Sequence, residues 1–446
     1  MKPGILVLGR KRPGFDPEWA AHVVSEVEAS LAVAPYEVFT PTVRIVDEST
    51  LRAAVKQCVA AEADALVVIQ PTMSDGNLAA TLPQLWDGPV ILWATPEKQT
   101  GSMISACSLV GAHTFASTLR QLGAPFELVY GMPGAKKTAC ELERALRLAS
   151  ACRRFQHGRI GLVGYHAPGF IDMQADPFQL KTELGLQLRH YGLSEFVAMM
   201  DEFGEQEIQE DLARVRETGM RLAGVTEDEL PVASRYYLAM KKLLDGNHLD
   251  GLAVRCWSEL PNVVGQWPYL GMVRLGTEGR SVACEGDVDG AVSLLAGEAL
   301  GLGQTYLSDW LEHDRETITL WHAGNAPIGL CEPVDSEFGP RIARHFNNQK
   351  AAVIDANLRV GMPITVHRIW RCDNTYRLTA FEGETIEPKR LLQGTNGLAH
   401  VDGLDVCDLF DDLVHAGMPH HVAVSEGHHA ETLRRFARLL NIDFLG

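Results

Sequence analysis

The side chains in this sequence best suited to chemistry together are two acids and an imidazole in one short stretch. Cys284-Glu-Gly-Asp287 contains a Glu-x-Asp pair, Asp309 is a second acid, and His322 stands directly before Ala-Gly-Asn-Ala-Pro327. Glu285, Asp309 and His322 offer hard oxygens and one imidazole nitrogen, a donor set suited to a divalent cation such as Mn²⁺. The elements that must position them are readable nearby. Val288–Leu300 is apolar with small residues and predicts a buried helix between the acids. Thr305-Tyr-Leu predicts a short strand ending at Asp309, so each acid is expected at an element boundary, where a turn can aim it into a cleft. Far along the chain stand His420 and His421. Neighbours in a strand point to opposite faces, whereas both can converge from an irregular loop.

Composition narrows the classes. The chain has 446 residues, 46% apolar and 22% charged, as expected for two to four globular domains. A net charge of −17 disfavours nucleic acid and anionic membrane as partners. Nine cysteines without a Cys-x-x-Cys pair fit a reducing cytoplasm better than a disulfide framework or a zinc site. The N-terminal stretch lacks signal-peptide features, and no apolar run reads as a membrane span. A cytoplasmic location is expected.

From residue 1 to about 154, strand and helix signals alternate. Ile5–Leu8, Ala65–Ile69 and Val90–Trp93 read as strands buried on both faces. Pro17–Leu31, with Asp16 as N-cap, and Ser49–Ala61, Ser117–Leu122 and Cys140–Ala151 read as helices. This alternation predicts a parallel, doubly wound sheet, with the loops Gly9–Phe15 and Gln70–Asp75 as candidate substrate walls. The pattern restarts at Ile160 and yields a second α/β domain, 155–330, which carries the two acids. Helices are expected over Glu205–Gly219 and Glu227–Asp245 and a strand over Gly251–Arg255, with Glu259 as an exposed loop acid. No dinucleotide-binding glycine fingerprint is present, which disfavours an NAD enzyme. From 331 to 446, Pro363–Trp370 and Tyr376–Glu382 read as antiparallel strands and Glu431–Leu440 as a closing helix.

Together, Cys284-Glu-Gly-Asp287, Leu307-Ser-Asp-Trp310, Trp321-His-Ala-Gly-Asn325 and Gly417-Met-Pro-His-His421 resemble the L-fucose/L-arabinose isomerase family. The resemblance implies two Rossmann-like domains followed by a C-terminal domain with antiparallel β-strands. It implies an aldose–ketose isomerase using Mn²⁺, with Co²⁺ or Mg²⁺ as alternatives. Glu285 and Asp309 would be both ligands and the acid/base pair. His421, with His322, would complete the metal shell, and His420 would touch substrate. The first-domain loop resembles one that reaches a neighbouring subunit's site in a homo-oligomer, a hexamer by family resemblance. Lys11 and Arg12 would then touch the sugar, and their charge suggests an anionic substituent on it. Two other classes share these features: a sugar-binding protein without turnover, and a metal-dependent lyase or epimerase.

Overall fold

The structure, a computed structural model, describes residues 1–11 and 15–446. It divides into two compact units, Met1–Arg154 with Arg438–Asn441, and Phe155–Ala437 with Ile442–Gly446.

The first unit is built on four parallel strands in sequential order, β1 (Pro3–Val7), β2 (Ala65–Ile69), β3 (Val90–Ala94) and β4 (Phe126–Tyr130). The continuous apolar runs of β2 and β3 follow from burial on both faces, whereas β4, at the sheet edge, leaves Leu128 and Tyr130 exposed. Ile5, Val67, Ile69, Ile91 and Trp93 pack on one side against Val23 and Val27 of the helix Pro17–Ala32 and Leu142, Leu146 and Ala149 of Lys136–Gln156. Leu6, Leu66, Val68 and Leu92 pack on the other against Leu51 and Val55 of Glu48–Ala60 and Phe115 and Leu119 of Ser108–Gln121. Asp16 caps its helix by accepting from the Glu18 and Trp19 amides, both at 3.0 Å. The helix expected over Ser117–Leu122 begins earlier, at Ser108. The Ser108 hydroxyl donates to Gln70 O at 2.6 Å and accepts from Thr95 N at 2.9 Å, which ties that helix start to the ends of β2 and β3.

The second unit pairs a parallel sheet with a barrel. β5 (Arg159–Val163), β6 (Gln187–Tyr191), β8 (Gly251–Val254) and β9 (Ser281–Ala283) form the sheet in the order β6-β5-β8-β9, and β7 (Arg221–Ala223) joins the barrel side. The remaining strands are β10 (Thr305–His313), β11 (Thr317–His322), β12 (Arg341–Ala343), β13 (Val353–Asn357), β14 (Pro363–Cys372), β15 (Thr375–Ile386), β16 (Thr395–Val401), β17 (His421–Glu426) and β18 (Asp443–Leu445). Six of them, β14-β15-β16-β11-β10-β17, pair antiparallel all the way round and close on themselves. Closure removes the exposed edges that six open strands would present.

Alternation along β10 and β17 sorts their side chains. Tyr306, Trp310, Val422 and Val424 fill the apolar core, while Leu307, Asp309, His421 and Ala423 alternate with them. On the face they share packs the helix Val288–Leu300, its bounds as expected from sequence. Its small residues permit close approach. A Cβ on Gly290 would stand 2.9 Å from Leu307 Cδ2, and one on Gly297 would stand 2.8 Å from Thr305 Oγ1. The helix therefore delivers the loop at its N-terminus directly to the barrel wall. Among the described residues no helix is long and apolar enough to cross a membrane.

Candidate active site

Glu285 lies in the turn between β9 and the helix Val288–Leu300, at an element boundary as expected. The turn is tight: Glu285 and Gly286 have φ of +60° and +70°. A left-handed conformation at a residue with a side chain is costly and persists only when its surroundings impose it. Here the backbone is held on three sides. Ala167 N donates to Glu285 O at 2.7 Å, Glu285 N donates to Cys256 Sγ at 3.1 Å, and Gly286 N donates to Val254 O at 2.9 Å. A Cβ on Gly286 would lie 2.3 Å from Tyr165 O. Gly286→Ala is therefore expected to destabilise the fold by at least about 1–2 kcal/mol in denaturant titration and to displace Glu285, lowering turnover.

Asp309 is not at a boundary. It sits inside β10, which runs on to His313, because it is paired on both sides, with Trp321 on β11 and His421 on β17. Residues directly opposite on antiparallel strands share a face. Asp309 and His421 therefore meet: Asp309 Oδ1 is 3.4 Å from His421 Nε2. Glu285 Oε2 is 3.6 Å from the same nitrogen. His420 falls in the bend just before β17, so it escapes strand alternation. Its Nε2 lies 3.8 Å from both Glu285 Oε2 and Asp309 Oδ1. His322, the last residue of β11, places Nε2 4.0 Å from Glu285 Oε1 and 3.1 Å from Cys284 Sγ. The structure thus brings Glu285, Asp309, His322, His420 and His421 together.

Behind this cluster is a buried support. Asp287 caps the helix by accepting from Gly290 N at 2.8 Å. It also receives both Arg368 guanidinium nitrogens, at 2.7 and 2.9 Å, and His421 Nδ1 at 2.8 Å. Asp287, Arg368 and His421 are all 0% exposed. Because Nδ1 is committed to Asp287, His421 must present Nε2 to Glu285 and Asp309. Burial works against the Asp287 carboxylate, but Arg368 and His421 outweigh it and hold its pKa well below the usual range.

The donor set fits a hard divalent cation. His421 Nε2 and Glu285 Oε2 are buried without a hydrogen-bond partner, and both point at the same space as Asp309 Oδ1. Electrostatics agree. Burial raises the Asp309 pKa, but His322, His421 and His420 together bring it below normal. Burial depresses His322, yet Cys284 and Asp309 raise it to about 9, and His421 is likewise raised well above its ordinary value. Without metal these imidazoles hold protons that a metal must displace. Metal affinity is therefore expected to rise with pH, by about tenfold per unit for each proton lost, and to level off only when the imidazoles are neutral. Calorimetry in buffers of different ionisation enthalpy would count the released protons, and an affinity independent of pH below neutrality would contradict the assignment.

Glu285, Asp309 and His322 of this cluster form one wall of a cavity of about 350 Å³. Its other walls are Ala167, Pro168 and Phe170 after β5, Trp257 and Ser258 after β8, and Trp321 and Phe346. Loops at the carboxyl ends of parallel strands are where such sheets bind ligands. Of three tryptophans near the motifs, Trp257 and Trp321 line the cavity, while Trp310 is 7% exposed and packs on Phe381 and Phe410. Glu259 pairs with Arg255 and does not line the cavity. A larger cavity, about 780 Å³, lies in the first unit, and its lining includes Gly9, Lys11, Phe15, Pro71 and Thr72 from the two loops expected there. The two acids and His322 line the smaller one. Lys11 belongs to the first unit and pairs with Asp47 at 2.5 Å, and Arg12 lies outside the described residues.

Sequence reading passed over Cys284, Phe170, Phe346 and the Asp287–Arg368 support. Only Arg368 carried a signal: a charge among apolar residues of a strand, which burial demands be paired.

Residues 333–446 match the family model described as L-fucose isomerase, C-terminal domain. Over 385 residues the chain is 26% identical to a sulfoquinovose isomerase of Priestia megaterium, covering 85% of this chain and 84% of the relative. It is 24% identical over 394 residues to a sulfoquinovose isomerase of Alkalicoccus urumqiensis, covering 86% of each. An L-arabinose isomerase of Aeromonas hydrophila is 23% identical over 353 residues, covering 75% of this chain and 69% of the relative.

Proposed function

Because this chain belongs to the L-fucose/L-arabinose isomerase family and is an intramolecular oxidoreductase, we propose that it interconverts an aldose and a ketose at the Glu285–Asp309–His421 cluster. The observation that carries this is the convergence of two cavity-lining carboxylates on the unpaired Nε2 of buried His421. Glu285, Asp309 and His421, with His322 beside them, would hold Mn²⁺, and Co²⁺ or Mg²⁺ could stand in. Such a cation supplies Lewis acidity, stabilising negative charge that develops on the two sugar oxygens. The chain's own residues do the rest. Isomerisation moves one proton between C1 and C2 and another between their oxygens, and two carboxylates on one cavity wall serve as the acid/base pair. Asp309, a carboxylate on the cavity wall, would start as the base. His420, 33% exposed, donates to a sugar hydroxyl. Trp257, Trp321, Phe170 and Phe346 give the sugar apolar faces and exclude water.

The sugar is read as one with an anionic substituent such as a sulfonate. Two observations support that reading: relatives named sulfoquinovose isomerase match over most of the chain, and the sequence carries Lys11 and Arg12 shortly after the first strand. Among the described residues no Lys or Arg lines the cavity. The counter-charge would come from Lys11 and Arg12 of a neighbouring subunit in a homohexamer. The two parallel sheets are read as Rossmann-like, and the protein as working in the cytoplasm. Product analysis on sulfonated and neutral aldoses tests the substrate. Lys11→Ala with Arg12→Ala is expected to raise KM for the anionic sugar by at least about tenfold and to leave a neutral one little changed. An unchanged KM for the anionic sugar would remove the anionic reading.

A further inference from the structure

Cys284 stands beside the acid cluster without a part in the proposed reaction. It is 0% exposed, and its Sγ lies 3.1 Å from His322 Nε2 and 3.7 Å from the Asn325 side-chain amide. Cys284 Sγ and one ring nitrogen each of His322 and His421 all lie within 4.8 Å of one another. His421 Nδ1 is taken by Asp287, so the nitrogen turned to the sulfur is Nε2, which is fully buried and unpartnered. Sulfur and two imidazoles form a softer donor set than the carboxylates across the same nitrogen. A tetrahedral zinc ion, about 2.3 Å from sulfur and about 2.0 Å from nitrogen, sets its ligand atoms roughly 3.5 Å apart. The sulfur-to-His322 separation, 3.1 Å, is close to that value, and the other two are within 4.8 Å.

We propose that Cys284, His322 and His421 form a second, soft-metal site that takes Zn²⁺ or Cd²⁺ and, by claiming His421, excludes the catalytic cation. The exclusion rests on the metal-dependent reading above; the soft site itself does not. On binding to the metal-free protein, Cys284 gives up its thiol proton and His322 and His421 their extra ring protons to solvent, so all three bind as Lewis bases and no oxidant or reductant is involved. Divalent zinc outranks manganese at a given nitrogen or sulfur site, so trace zinc would be inhibitory.

The test is a Cd²⁺ titration of the full-length, Mn²⁺-loaded protein. It follows the ultraviolet thiolate-to-cadmium charge-transfer band and, by electron paramagnetic resonance, free Mn²⁺. One band per chain is expected, with one Mn²⁺ released per Cd²⁺ bound, and Cys284→Ser should lose the band. X-ray absorption of the zinc-loaded parent protein needs no variant and should show one sulfur and two imidazole neighbours. A band undiminished in Cys284→Ser, no band in the parent, or a zinc shell without sulfur would overturn the site. A band without Mn²⁺ release would overturn the exclusion. A parent protein that binds cadmium through sulfur but never binds Mn²⁺ would count against the proposed reaction and leave the soft site standing.

Discussion

Asp287→Asn is expected to destabilise the protein by about 3–5 kcal/mol and to weaken metal binding about 10- to 100-fold, although Asp287 need not touch the metal. The size follows from what Asp287 neutralises. Arg368 is 0% exposed and meets both carboxylate oxygens, so an amide in their place leaves a buried guanidinium without its counter-charge. Helix capping survives, since Asn also accepts at an N-cap. The metal effect has a separate cause. His421 donates from Nδ1 to Asp287, which fixes the ring and leaves Nε2 for Glu285 and Asp309. An Asn amide can donate to Nδ1 and turn the tautomer over. Removing Arg368 as well distinguishes the two causes. Asp287→Asn with Arg368→Met should recover much of the stability, because apolar residues of similar volume replace buried ion pairs well, yet should not restore metal affinity. Denaturant titration and Mn²⁺ calorimetry on the single and double variants give the answer. A stability loss under about 1 kcal/mol would mean the pair is not buried as described.

The second large effect falls on the acids. Glu285→Gln and Asp309→Asn are each expected to lower kcat by about 10²- to 10⁴-fold, the usual range for a positioned acid or base, and to weaken metal binding as well. Both substitutions keep side-chain volume, Asp309 is 21% exposed, and among the described residues no Arg or Lys pairs with it, so the fold should hold. The two should not be additive, since the carboxylates share His421 Nε2 and act on one substrate. Turnover measured at saturating metal separates lost chemistry from lost metal. Near-normal kcat in either variant under that condition would remove the residue from the acid/base pair.

Local pattern carried much of this architecture, and the reasons it stopped are specific. The helix Val288–Leu300 was legible to the residue, because an apolar run bounded by Asp287 and Gly301 has a cap at each end. Glu285 at its turn followed from that. Asp309 was misplaced at a strand end because a polar residue looks like a terminus. Only the pairing with both β11 and β17 shows that the strand continues. Closure of the barrel depends on β15 meeting β16, a pairing that alternation within either strand does not reveal. The Asp287–Arg368 pair joins residues 81 apart in sequence, beyond any local periodicity. His420 and His421 illustrate the reverse case. That both reach the site depends on β17 beginning at His421, which leaves His420 in the bend before it.

Proton exchange tests the central claim most directly. The metal-stripped protein, with Mn²⁺ restored, would be incubated in D₂O with neutral and anionic aldoses and ketoses, and deuterium at C1 and C2 followed by NMR. Metal-dependent exchange at one sugar pair, lost in Glu285→Gln and in Asp309→Asn, is the predicted result. Tight Mn²⁺ binding with no exchange at any sugar, or exchange that persists in both variants, would contradict it.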